Sequence, residues 1–373
     1  MPVTHSDLLS NSAGISVIIN NAETISISEL TYDQSINTAR RVQFKVDSLD
    51  EATKCSIGSK IVIVVGRVPP NTSTILSDGL KPISIGYTHY YHFEGIIRKV
   101  MPTSKGAIVT AGDYITLLNT STYIEYKDED VIGQDLFVLA ADAANISQID
   151  TTDLLGGCEI SATKEMGLTG FKTRKEFMDL CFNNMLSIVT DSTKYHDAIN
   201  PTYWQYGIRH GKTLDFFKID SSNVHIKPAL EISLNNNRAY NVTPTIDTER
   251  LVNSITIENS SIDFNYTYTD NASVSQYGVN SQLVSTTSIH REKIEVAAFE
   301  IVSRYNEPSI KYNIELPNNE VFCLGDYIQV TLPILGTRIL PVQTIKVNFN
   351  TGKTTLTCGE KALSIPELVK RMV

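Results

Sequence analysis

Two G-K-T strings, Gly211-Lys212-Thr213 and Gly352-Lys353-Thr354, are the first residues in this chain whose types suggest chemistry. A phosphate-binding loop needs another glycine five places earlier, after a strand and opening a helix, so that backbone N–H groups cradle the phosphates. Five places before Gly352 stands Val347, and five before Gly211 stands Tyr206, with Gly207 one place out of register. Behind Gly352 the sequence continues K-T-T-L-T-C-G, which reads as a β-branched strand and not as the first turn of a helix. The string is therefore read as a hairpin turn at Asn350-Thr351-Gly352, where Gly352 supplies the positive φ.

The remaining candidates are sparse. His89 and His92 stand three apart in H-Y-Y-H; on a strand they face opposite ways, which is wrong for one metal. Asp128, Glu129, Asp130 and Asp135 could do paired-carboxylate work, as in a glycoside hydrolase. No second acidic cluster accompanies them, and a polar linker before a helix is the plainer reading. Tyr203, Trp204 and Tyr206, with Phe216 and Phe217, could form a sugar platform; a small-domain core or an interface anchor is the plainer reading there. There is no H-E-x-x-H, G-x-S-x-G or EF-hand loop. The residues point to no enzyme, no cofactor and no metal. The aromatic cluster keeps one alternative open, a β-rich carbohydrate-binding or adhesion module.

What must position these residues is a chain of 373 residues, 42% hydrophobic and 20% charged, an ordinary globular balance with material for two or three domains. A net charge of −9 leaves no basic footprint for gripping nucleic acid. Five cysteines without C-x-x-C spacing suggest a reducing compartment and argue against a zinc knuckle. No signal peptide is expected at the N-terminus, and no apolar run reaches the roughly 20 residues of a membrane span.

Strand signals dominate the first and last thirds. Val42, Phe44 and Val46 alternate with Gln43 and Lys45, so one face is buried. The middle predicts helices over residues 134–147 and 173–189, the second with a Thr173/Glu176 capping box, and residues 234–250 read as loop or linker. A further helix is predicted over residues 291–305.

The two outer thirds also share an order. I-G-S-K-I-V-I-V-V-G aligns with L-G-D-Y-I-Q-V-T-L-P on Gly58 and Gly325. The hairpin of residues 95–113 aligns with residues 343–360, matching turn glycines Gly106 and Gly352, then Gly112 and Gly359, each followed by an acid. V-Q-F-K-V matches K-Y-N-I-E-L, and I-S-V-I-I-N matches N-S-I-T-I-E-N. Matched elements in a common order favour a duplicated β-domain, the alternative being chance similarity between two β-meanders.

With these motifs in place, the chain resembles the hub family of phage tails and contractile injection machines. The resemblance is carried by R-L-V-N-S-I-T-I-E-N-S-S, S-V-S-Q-Y-G-V-N-S, the helix R-E-K-I-E-V-A-A-F-E-I-V-S-R-Y and F-C-L-G-D-Y-I-Q-V-T-L-P, and earlier by F-E-G-I-I-R-K-V with T-A-G-D-Y-I-T-L-L. It implies a mainly β fold with an α+β insertion: a first tube β-domain at 1–125, an inserted mixed α/β domain at 126–248, a second tube β-domain at 249–361 and a tail at 362–373. It implies a homotrimer, because two tube domains in each of three chains adapt a sixfold tube to a threefold tip. The implied setting is the virion tail or baseplate, assembled in the host cytoplasm. The implied partners are the tail tube protein, a spike or tail-tip protein, and baseplate wedge or fibre proteins, with DNA passing through the lumen unbound during ejection. The chain ends at Val373, and no lysozyme-like or peptidase-like extension is expected.

Overall fold

The computed structural model describes residues 15–66, 90–119, 122–152, 154, 156–188, 201–220, 226–233, 239, 241–259, 261–287, 291–317, 322–332, 335–359, 365–366 and 369. Short β-branched runs in the first third build β1 (Ile15–Ile19), β2 (Glu23–Ile25), β3 (Glu29–Ser35) and β4 (Arg41–Val46). A short helix α1 (Leu49–Lys54), capped by the Ser48 hydroxyl, leads to β5 (Lys60–Gly66), β6 (Tyr90–Pro102) and β7 (Ala107–Asp113). The middle contributes α2 (Ile115–Leu118), β8 (Ile124–Tyr126), α3 (Asp128–Val131), α4 (Leu136–Ala144), β9 (Gly170–Lys172) and α5 (Arg174–Asn184). Strands β10 (Leu186–Ile188), β11 (Pro201–His210) and β12 (Thr213–Asp220) complete it. The last third holds β13 (Ile226–Ser233), β14 (Asn241–Asp247), β15 (Ser254–Asn259), β16 (Phe264–Thr269), α6 (Asn271–Tyr277) and β17 (Ser281–Ser285). It ends with α7 (Arg291–Tyr305), β18 (Ser309–Pro317), β19 (Tyr327–Leu332), β20 (Gly336–Asn348) and β21 (Lys353–Cys358).

The architecture is mainly β. One sheet of 13 strands runs β14-β18-β21-β20-β3-β4-β7-β6-β5-β1-β2, with β19 joined to β20 and β13 to β19. Alternation along β4 and β21 places Val42, Phe44, Val46, Leu356 and Cys358 on the buried face. These residues join one core cluster that takes Val17, Ile63 and Val109 from the first third and Tyr312, Ile345 and Val347 from the last. Each such side chain contributes about 1.5–3 kcal/mol on burial, so the two thirds are held by a common apolar interior.

Two smaller cores flank this sheet. One packs α4 and α5 on β11, with Phe137, Phe182, Tyr206 and Phe216 at its centre. The predicted capping box is present: Thr173 Oγ1 accepts from Glu176 N–H, and Thr173 N–H donates to Glu176 Oε2 at 2.8 Å. The helix ends at Asn184, short of the predicted residue 189, because Leu186–Ile188 pairs with β11 as a strand. The other core lays α7 on the sheet β16-β15-β17 and receives Ile365 and Val369 near the chain end.

Three expectations are corrected. Residues 234–250, read as linker, contain β14, which pairs with β18 over seven residues. Both β13 and β14 fall inside the span 126–248, yet they pair into the large sheet. The match of I-S-V-I-I-N with N-S-I-T-I-E-N does not hold, because β1 pairs with β5 whereas β15 lies in the separate sheet beneath α7.

Glu300 on α7 is buried, and among the described residues no donor reaches its Oε2. Burial pushes its carboxyl up to about 7. In the unfolded chain it ionises near 4.3, so the folded state holds the proton longer. The group therefore contributes stability below about pH 4 that is lost as pH rises through about 7. We expect Glu300→Gln to gain on the wild type by about 1–2 kcal/mol between pH 5 and pH 8. Urea titrations at both pH values read this directly, and a constant difference would contradict it.

Candidate assembly interface

The duplication acquires geometry in the large sheet. Strands β3-β4-β7-β6-β5 and β14-β18-β21-β20-β19 follow one another in the same order, each neighbouring pair antiparallel. The details repeat as well. Gly58 N–H donates to Ile97 O at 2.9 Å and Ile97 N–H to Ser59 O at 3.0 Å; Gly325 N–H donates to Val342 O at 3.0 Å and Val342 N–H to Asp326 O at 2.8 Å. One residue later each strand carries a register shift, between Ile97 and Lys99 and between Val342 and Thr344. Gly58 and Gly325 both adopt positive φ, +89° and +80°.

These bonds set the equivalences residue by residue. Ile97 answers Val342, Val100 answers Ile345, Ala111 answers Cys358 and Gly112 answers Gly359. Gly106 does not answer Gly352. It corresponds to Lys353, because the second hairpin has a longer turn. The two glycines also have different causes. Gly352 sits at φ +64° in open space, whereas a Cβ on Gly106 would lie 1.9 Å from Val46 O.

The two repeats meet at a seam, where β3 pairs antiparallel with β20: Ser35 opposite Thr344, Gln34 opposite Ile345, Asp33 opposite Lys346, Tyr32 opposite Val347 and Thr31 opposite Asn348. Phe349 N–H to Leu30 O and Ile36 N–H to Gln343 O, both 3.1 Å, set the alternation, so the backbones of Tyr32 and Gln34 face β20. Both side chains are buried. Asn350 Oδ1 accepts from Leu30 N–H at 3.0 Å and extends the seam into the hairpin turn.

The equivalents of these two edges are open. Through β4 and β18, β3 answers β14, with Tyr32 answering Pro244 and Gln34 answering Ile246. Among the described residues, nothing pairs with the outer side of β14 or with residues 99–102 of β6 on the side away from β7. Ile246 is 55% exposed where Gln34 is 7% exposed. Pro102 and Pro244 each turn a position without an N–H toward the open side, as proline does on edge strands.

The other predicted residues lie elsewhere. Tyr203, Trp204 and Tyr206 are on β11. Tyr206 is fully buried, its Oη 2.6 Å from Asp179 Oδ1 and 2.8 Å from Asn37 O, and burial first, then Asp179, raises its pKa. Trp204 packs edge-on against Phe137 at 5.4 Å. Of Tyr203 only the backbone is described, paired with Leu186 and Ile219. Among the described side chains, Tyr206 and Phe216 are packed into the core and Trp204 lies half-buried against it. Asp128, Glu129 and Asp130 lie exposed on α3, and Asp135 caps α4 while accepting from Cys158 and Glu159 N–H. His89 lies outside the described residues.

No protein-family model and no curated protein matches the sequence. Among solved structures, a tail protein from Neisseria meningitidis MC58 superposes with a TM-score of 0.53 at 12% identity, covering 96% of this chain and 99% of that one. The 43 kDa tail protein of prophage MuSo2 from Shewanella oneidensis gives 0.55 at 10% identity, covering 96% and 98%. The chain has the fold of phage tail proteins.

Within this tail-protein fold, a buried, ion-paired arginine that the sequence did not announce fastens the β11–β12 turn to the first repeat. Arg40 and Asp113 are both almost fully buried, with Nε 3.3 Å from Oδ2. Asp113 also accepts from Arg40 N–H at 2.8 Å and Ile115 N–H at 3.1 Å. Burial pushes its carboxyl up to about 6 despite the neighbouring guanidinium. Arg40 donates onward to His92 O at 3.1 Å and to Gly211 O in the β11–β12 turn. His92 Nε2 lies 3.0 Å from Glu94 Oε1; burial raises the Glu94 pKa, but His92 outweighs it and the net direction is down.

The two hairpin glycines give a direct test of the repeat geometry. Gly106→Ala should cost about 2 kcal/mol or more, since strand β4 must give way. Gly352→Ala should cost about 1 kcal/mol, for left-handed backbone alone. Urea midpoints rank the two, and the reverse order would refute the close approach at Val46.

Proposed function

We propose that this chain is a structural hub of a phage tail: three copies close a ring of six similar β-units that adapts a sixfold tail tube to a threefold tip. The observation that carries this reading is the seam inside one chain together with its two open counterparts. If the seam register is transferred between copies, β14 of one meets β6 of the next, with Asp247 opposite Lys99, Ile246 opposite Val100, Thr245 opposite Met101 and Pro244 opposite Pro102. Ile246 and Val100 then exchange two backbone hydrogen bonds, Asp247 and Lys99 bring opposite charges together, and Ile246 leaves water. A head-to-tail interface of this kind closes when its rotation is right, and two β-units per chain call for three copies.

In this role the mechanism is mechanical. The ring's faces would receive the tail tube protein on one side and a spike, tail-tip, wedge or fibre protein on the other. A chain of net charge −9 suits a lumen through which DNA passes without adhering. Assembly would take place in the host cytoplasm, with the finished protein in the virion.

The transferred register is tested by the paired variant Thr245→Cys with Met101→Cys, a non-hydrogen-bonded pair in which side chains stand closest. Under mild oxidation it should give a ladder on non-reducing gels that ends at three chains, and each single variant should give none. Monomer alone at micromolar concentration in mass photometry, with no ladder, would defeat the hub reading.

A further inference from the structure

The second repeat carries a cleft of about 180 Å³ between the end of α7, the start of β18 and β20. Among the described residues, Arg250, Arg304, Lys311 and Arg338 line it together with one carboxylate, Glu307. Arg338 and Glu307 form a partly exposed ion pair at 3.5 Å. A surplus of cations in one concavity is unexpected in a chain of net charge −9. The carboxyl end of α7 adds about half a negative charge to the cleft.

The repeat tells what this place is for. By the register above, Ile310 answers Arg40, Lys311 answers Arg41, Arg338 answers Phe93 and Leu340 answers Gly95. In the first repeat that spot is taken by polypeptide. The β11–β12 turn sits on it, Gly211 bridging to Phe93, donating to His92 O at 3.2 Å and accepting from Arg40. The seat is so close that a Cβ on Gly211 would lie 2.7 Å from His92 Cε1. Among the described residues, no turn of this chain fills the corresponding place in the second repeat.

We propose that the cleft is a docking site for an acidic segment of a partner protein, whose carboxylates lie among Arg304, Lys311 and Arg338. Its volume is below the roughly 300 Å³ at which small-molecule pockets begin, which favours a side chain presented on a polypeptide. Nucleic acid calls for an extended basic stripe and not one concavity on an acidic chain. The cleft lies within a single chain, so the assignment goes beyond the ring and does not depend on it.

The test uses the full-length protein and fluorescein-labelled hexaglutamate, followed by fluorescence polarisation at two salt concentrations. Inorganic phosphate and a twelve-nucleotide single strand serve as competitors. Lys311 and Arg338 are exposed, so Lys311→Glu with Arg338→Glu should keep the wild-type melting curve, and Arg338→Gln provides a milder second variant. Lys60→Glu with Lys164→Glu makes the same change in net charge away from the cleft. We expect salt-sensitive binding that weakens at least about tenfold in the cleft pair, falls measurably in Arg338→Gln and stays unchanged in the control pair. Absence of binding to the wild type, equal loss in the control pair, or tighter binding of the oligonucleotide would each overturn the assignment. Because binding is read per chain, its failure and failure of the trimer are separate results.

Discussion

Everything in this fold rests on the pairing of β3 with β20. It joins two copies of one β-unit edge to edge inside a single polypeptide, and the apolar faces of both copies then form one interior from Val17 to Cys358. The backbone bonds of the seam are individually modest, about 1 kcal/mol each. Their weight lies in the register they impose, since a slip of one residue would turn Tyr32 and Gln34 from interior to solvent. Among the described residues, the seam is also the one place where the two repeats meet along a strand, and it therefore sets the geometry that copies of the chain would have to imitate.

Charge is distributed along the same division. At the first repeat, Arg40 is spent on Asp113 and on carbonyls of His92 and Gly211, binding the middle unit to the sheet. A buried pair of this sort adds little stability over an apolar substitute, but removing one partner is severe, so it fixes which turn docks and how. At the second repeat no described residue fills the equivalent place, which is lined by cations. One backbone plan thus holds an internal contact in one copy and a receptive surface in the other.

Much of this was legible in the residues. Alternation along β4, the capping box of α5 and the apolar stripe of α7 are local signals, and each element formed where its pattern lay. The glycine pair Gly58 and Gly325 was legible because only positive φ allows the turn both copies need. What escaped was set by distant partners. Strand β14 looked like linker because an open edge bearing Pro244, with exposed Thr243 and Thr245, shows no burial rhythm. Ile188 looked helical until β11 claimed it. Arg40 carried no signal at all, since its partners lie at residues 92, 113 and 211. Trp204 and Tyr206 showed the converse: residue types that suit a sugar platform were drawn inward by Phe137 and Phe182.

The bond from Leu30 to Asn350 spans 320 positions, and this has a consequence for biosynthesis. A nascent chain displays β3 long before the strand that covers it is translated. At about 5–20 residues per second, that interval lasts tens of seconds. Throughout it the first repeat carries a raw edge, and newly made neighbours on the same polysome offer the wrong β20. Pro102 and Pro244 cannot help there, because they lie on the other two edges. Cells making this protein in quantity therefore face their greatest risk of intermolecular mispairing within that interval, and slower initiation, which spaces ribosomes apart, is the simplest remedy.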